Sequence, residues 1–151
     1  SRLFQEIREK RGLAYSVFSS TQSFADTGLF TVYAGTGPED LPKLIPVLCD
    51  EIKRVGDTVT AEEVQRARAQ LKAGLLMSLE SPSSRCASRA RQLMVHGRTM
   101  SVQEIIAKVE EIDRAGIARA AGRVLTGAPT IAALGDLQHL EDFQRFRARL
   151  H

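Results

Sequence analysis

The chain has no tryptophan, only two cysteines among its 151 residues, and aromatic side chains at 5%. Two cysteines cannot build a disulfide scaffold. Cys49 and Cys86 each fall among apolar residues of an expected helix, so buried free thiols in a reducing compartment are the expectation. No apolar run approaches the roughly 20 residues of a membrane helix, and no membrane attachment is expected. Charge of one sign is not concentrated either: the net charge is +3, with basic residues interleaved among acidic ones. Nucleic-acid binding favours a clustered basic stripe. The densest basic runs, Arg85 to Arg91 and Arg145 to Arg149, sit at helical spacing and read as solvated faces. A nucleic-acid module would rest on overall charge alone, so no nucleic-acid partner is expected.

Histidine is scarce. His96, His139 and His151 never approach the H-x-x-E-H spacing, and no glutamate sits between two of them. That motif places two zinc ligands and a water-activating glutamate on one helix. This chain therefore offers no expected metal ligands. Glycine-rich phosphate loops are missing too. Gly35-Thr36-Gly37-Pro38 lacks both the G-x-G-x-x-G pattern and a Gly-Lys-Ser, and reads as a strand-to-helix turn.

What is present is an ordinary globular composition, 43% hydrophobic and 26% charged, long enough for one domain over residues 1–151. Leu3, Phe4 and Ile7 share one face of an opening helix. Lys10 and Arg11 suit its C-terminal end, and Gly12 offers a left-handed stop. Leu13, Tyr15 and Val17 alternate, which predicts a strand with all three on one face. Residues 13–22 and 28–35 pair as a hairpin around Asp26-Thr27-Gly28. Arg8 and Tyr15 flank the Gly12 turn. Both carry hydrogen-bond donors able to hold a carbonyl oxygen as it becomes an oxyanion. The structural alternative is a helix-end arginine and a half-buried strand aromatic.

Helices follow in series. One runs from about Glu39 to Val55, its apolar stripe at Leu41, Leu44, Ile45, Leu48, Cys49, Ile52 and Val55, with a kink expected at Pro46. Thr60 and Glu63 form a capping box for a helix reaching about Leu79, with Val64, Ala67, Leu71, Leu75 and Ser78 inward. Pro82 opens a helix carrying Cys86, Ala87, Ala90, Leu93 and Met94, which Gly97 stops. A second box, Ser101 and Glu104, opens another helix, and Asp113 caps one that ends at Gly127. Thr130 to Leu134 reads as a short buried strand. Leu140, Phe143, Phe146 and Leu150 mark a final amphipathic helix. Helices and strands do not alternate strictly, so the fold class is α+β.

The run Ser1-Arg2-Leu3-Phe4-Gln5-Glu6-Ile7-Arg8-Glu9-Lys10-Arg11-Gly12-Leu13-Ala14-Tyr15-Ser16 resembles the pitrilysin/insulinase-type zinc peptidases, the family of mitochondrial processing peptidase. The likeness is to their C-terminal homologous domain, in the short bacterial and mitochondrial branch. It continues through Phe24-Ala25-Asp26-Thr27-Gly28-Leu29-Phe30, Tyr33 to Asp40, Ala69 to Ala73, and Met77 to Ser81.

The resemblance implies an antiparallel sheet with helices packed on one face, a ferredoxin-type domain lacking its first strand and helix. An unpaired sheet edge would then invite covering by another chain. It implies that Arg8 and Tyr15 bind the substrate backbone. It also implies that zinc and the general base belong to an N-terminal half of the intact enzyme, so this chain alone is inactive and binds no cofactor. The expected partners are a peptide or unfolded protein substrate and the N-terminal half or a homologous subunit, as a dimer. Bacterial cytoplasm is expected over the mitochondrial matrix. The alternative is a non-catalytic partner subunit that binds peptide or serves structurally.

Overall fold

A computed structural model describes residues 1–150. The order of elements is a π-helix (Phe4–Glu9), β1 (Ser16–Ser23), β2 (Gly28–Gly35), a 3₁₀ turn (Pro38–Asp40), α1 (Leu41–Thr58), α2 (Ala61–Ser78), α3 (Pro82–His96), α4 (Val102–Glu110), α5 (Arg114–Thr126) and α6 (Phe143–Leu150). β1 and β2 pair as a two-stranded sheet. The class is α+β, as the sequence predicts. The chain divides into two compact units. The first comprises residues 1–21, 30–58 and 118 onward, and the second residues 22–29 and 59–117.

The first unit holds the main core. Leu3 and Ile7 of the opening helix meet Leu13, Ala14 and Val17 beyond the turn, Leu44, Ile45 and Cys49 of α1, and Phe146 of α6. The α1 stripe follows the predicted spacing, because one face must serve both α6 and the opening helix. Ile7 and Cys49 are completely buried. Burial pushes the Cys49 thiol up to about 11, with the Glu141 carboxylate adding to the effect. At Gly56 a β-carbon would lie 3.3 Å from the Ala121 methyl, so glycine lets the α1 and α5 backbones approach.

In the second unit, Thr60 and Glu63 form the full reciprocal capping box. The second box is only half formed. Ser101 accepts from the Glu104 amide at 3.1 Å, but the Glu104 carboxylate turns to Arg98 in a two-point pair of 2.9 and 2.5 Å. That pair holds the Glu104 carboxyl below its usual range. Asp113 caps α5 as predicted, accepting from the Gly116 amide at 2.6 Å.

Four expectations need correction. Residues 130–134 are not a strand among the described residues, and Leu134 is fully exposed. β1 starts at Ser16, so Leu13 and Val17 are buried while Tyr15 points out. On α2 the covered side runs through Val64, Arg68, Lys72 and Leu75, and Ala67, Leu71 and Ser78 are outward. Arg68 and Lys72 take that side because they bind the Ile112 carbonyl just beyond α4 and the carboxylate of Glu110, its last residue. Cys86 is exposed rather than buried. The covered positions of α3 are Gln92 and Val95, and the Gln92 amide oxygen accepts from the Met100 amide at 2.7 Å. Polar anchoring of Gln92 thereby leaves Cys86, Ala90, Leu93 and Met94 in solvent.

Two outcomes follow. Ile7→Ala is expected to cost about 2–5 kcal/mol of stability in urea unfolding, the range for emptying a closed core position. A maleimide reagent should modify Cys86 rapidly in the native protein and Cys49 only after denaturation, as mass spectrometry of the labelled peptides would show.

Candidate functional site

The site is built around a chain reversal. In the opening helix the Lys10 amide donates to the Gln5 carbonyl at 2.9 Å, five residues back, which widens the turn by one residue. The helix then closes on itself. Gly12 donates to the Arg8 carbonyl at 3.0 Å and Leu13 to the Ile7 carbonyl at 2.9 Å. Gly12 has φ +62°, and a β-carbon there would meet nothing within 4 Å. Backbone conformation, not space, therefore calls for glycine.

The segment that follows is pinned from two sides. Thr36 Oγ1 donates to the Leu13 carbonyl at 2.6 Å, and the Tyr15 amide donates to the Gly35 carbonyl at 2.9 Å. Leu13 and Ala14 are buried, and Tyr15 beside them is 87% exposed. A fixed backbone thus carries a freely presented side chain. An open cleft of about 300 Å³ lies alongside, lined by Gly12, Tyr15, Gly35, Thr36, Gly37 and Asp40 among others.

Arg8 and Tyr15, separated by seven positions in sequence, are neighbours in space. The Arg8 guanidinium carbon lies 6.0 Å from the centre of the Tyr15 ring and 4.8 Å from that of Phe4. Both distances suit cation–π attraction. Phe4 was not a predicted site residue, although its i, i+4 spacing to Arg8 signals the contact. The cleft was missed as well, because it joins residues 12–15 to residues 35–40 and no local spacing reports that.

The other cations near the turn are engaged. Arg2 donates to Thr58 Oγ1 at 2.6 Å and to its carbonyl at 2.8 Å. Lys10 and Arg11 both bind Glu6, at 2.5 and 2.6 Å. Hydrogen bonds from Lys10 first, and Arg11 second, hold the Glu6 carboxyl down at about 2. Among the described residues, the Arg8 guanidinium and the Tyr15 hydroxyl have no hydrogen-bond or ion-pair partner. Two donors are therefore presented to solvent with no internal acceptor.

No group of three or more His, Cys, Asp or Glu among the described residues could hold a metal ion. His139 sits 3.8 Å from Glu39, and His151 lies outside the described residues. No helix among the described residues is long and apolar enough to cross a membrane.

Comparison with known proteins gives the following similarities. Residues 1–71 match the family described as the Peptidase M16 inactive domain. An uncharacterized zinc protease of Rickettsia bellii is 38% identical over 135 residues, which are 89% of this chain and 33% of that protein. The mitochondrial-processing peptidase subunit alpha of Caenorhabditis elegans is 29% identical over 144 residues, 95% of this chain and 28% of that protein. A chain of Complex III2 from Candida albicans has the same fold, with a TM-score of 0.88 at 22% identity over 99% of this chain and 36% of that one. The chain thus spans about a third of the length of the curated relatives it matches. Its α+β domain is thus similar to one found in zinc peptidases. More particularly, it is a relative of the pitrilysin/insulinase-type zinc metallopeptidases through their inactive domain.

The Glu6 cluster has a pH signature. Its folded carboxyl titrates near 2, below the ordinary 4.5. Stabilisation from the cluster is then complete above about pH 4.5 and is lost as pH falls toward 2. Urea midpoints of wild type and Glu6→Gln should differ at pH 6 and converge near pH 2. A constant difference over that range would remove Glu6 from this role.

Proposed function

We propose that this chain is the C-terminal, non-zinc part of a zinc-dependent endopeptidase acting on extended peptides. In this reading Arg8 and Tyr15 bind the backbone carbonyl at the scissile bond. The observation that supports it most is the pairing of two uncommitted donors on a pinned backbone beside an open cleft. Arg8 supplies a permanent charge in a planar fork, and Tyr15 a neutral O–H. A carbonyl oxygen that gains negative charge during attack at its carbon binds such donors more tightly than the ground state does. Phe4 and the Tyr15 ring orient the guanidinium and lower the cost of holding it still.

The zinc ligands and the general base are assigned to sequence outside this chain; no group of three or more candidate ligands lies together among the described residues. That sequence is either the N-terminal half of the same protein or a homologous subunit. The two halves enclose the substrate, and this one closes the chamber. A non-catalytic partner subunit is the second reading. It is favoured by the similarity to the alpha subunit of mitochondrial-processing peptidase and by the shared fold with a chain of Complex III2.

Kinetics of the complete protein separate the two. Tyr15→Phe removes one donor and no ring atoms. It should lower kcat by about 10²–10³ with little change in KM, the usual cost of losing one oxyanion donor. An unchanged kcat would take Tyr15 out of the chemical step and favour the partner-subunit reading.

A further inference from the structure

We propose that the outward face of α3 is a docking site for an acidic amphipathic helix of a separate protein. The inference stands apart from the reading of Arg8 and Tyr15 and uses none of their geometry. α3 buries no residue. Its ends are closed locally: Ser81 Oγ accepts from the Ser84 amide at 3.2 Å, and Gly97, at φ +69°, donates to the Leu93 carbonyl at 2.9 Å. Caps alone leave a helix of this length marginal in water, where packing of one face supplies most of the stability. Within α3 only Gln92 and Val95 are partly covered. At 3.6 residues per turn, Cys86, Ala87, Ala90, Leu93 and Met94 fall together on the opposite side. All five are exposed.

Charge decides what such a face takes. From Ser81 to Gln103 the sequence has four arginines and a histidine and no carboxylate. Arg98 is committed to Glu104. Among the described residues, Arg85, Arg89 and Arg91 have no hydrogen-bond or ion-pair partner. By the same helical spacing Arg89 borders the apolar strip on one side and Arg91 on the other. Cations on both borders of an apolar seam select a helix with carboxylates on its own borders. A second copy fails that requirement, because α3 against α3 sets arginines beside arginines. A lipid surface is disfavoured, since the strip has no aromatic side chain and only one leucine to insert. A narrow apolar strip inside a charged rim suits a reversible contact between separate chains; permanent interfaces are more apolar.

Fluorescence anisotropy on the complete protein tests this. The probe is a fluorescein-labelled synthetic helix with a leucine and alanine face bordered on both sides by glutamate. A control peptide carries glutamine at the border positions and is otherwise identical. The glutamate peptide should bind about two- to tenfold tighter at low salt, the range for two exposed ion pairs. Arg89→Gln combined with Arg91→Gln should bring that ratio to one, while Met94→Gln should weaken both peptides. All three side chains lie in solvent, so these variants keep the fold. The proposal is overturned if the glutamate peptide does not bind, if the wild-type ratio is one, or if the ratio survives the double arginine variant. A dimer in sedimentation that Met94→Gln dissociates also overturns it, because the occupant would then be a second copy. So does co-sedimentation with phosphatidylglycerol vesicles that the double arginine variant abolishes, which would assign the face to lipid.

Discussion

Much of the first unit depends on the reversal at Gly12. One residue with positive φ lets the Leu13 amide reach back to the Ile7 carbonyl. That bond stacks the segment after the turn onto the helix before it, and both halves enter the same core. The reversal also decides what stays outside. Once Ile7 and Leu13 face inward, Arg8 and Tyr15 are left on the solvent side of the same turn, close enough to touch. The hydrophobic effect thus places two polar groups that it does not itself contact.

Periodicity reported the long, one-sided elements well. The α1 stripe from Leu41 to Val55, the capping box of Thr60 and Glu63, the cap at Asp113 and the final helix around Phe146 are local patterns with local causes. Failures fall where a distant partner decides. Arg68 reads as an outward residue until its acceptor, the Ile112 carbonyl, is known. Glu104 leaves its capping box for Arg98, a choice between two partners that spacing alone does not rank. Thr130 to Leu134 has strand composition, yet a strand exists only with a neighbour to bond, and none of the described residues supplies one.

Arg8 and Tyr15 flank a turn in the sequence, a placement that suits a helix-end arginine and a strand aromatic equally well, and the family resemblance is what singles them out as candidates. The alternation of Leu13, Tyr15 and Val17 misled, because it assumed an extended strand. The pinned segment is instead irregular up to Ser16, and so Leu13 and Val17 are buried while Tyr15 is not. Asp40 and Gly37 read in the sequence only as part of a strand-to-helix turn and of the family resemblance. Their place beside Tyr15 depends on β2 ending next to the Gly12 turn, which is a fact of tertiary structure.

The outward face of α3 has a thermodynamic meaning of its own. Met94 is 81% exposed, and Met77 near the end of α2 is 70% exposed. Such side chains are nearly as wet in the folded unit as in the unfolded chain, so their hydration contributes almost equally to both states. They are silent in the folding equilibrium. Whatever fixes an apolar residue at these positions operates through some other equilibrium, and a screen for stability alone would pass over them.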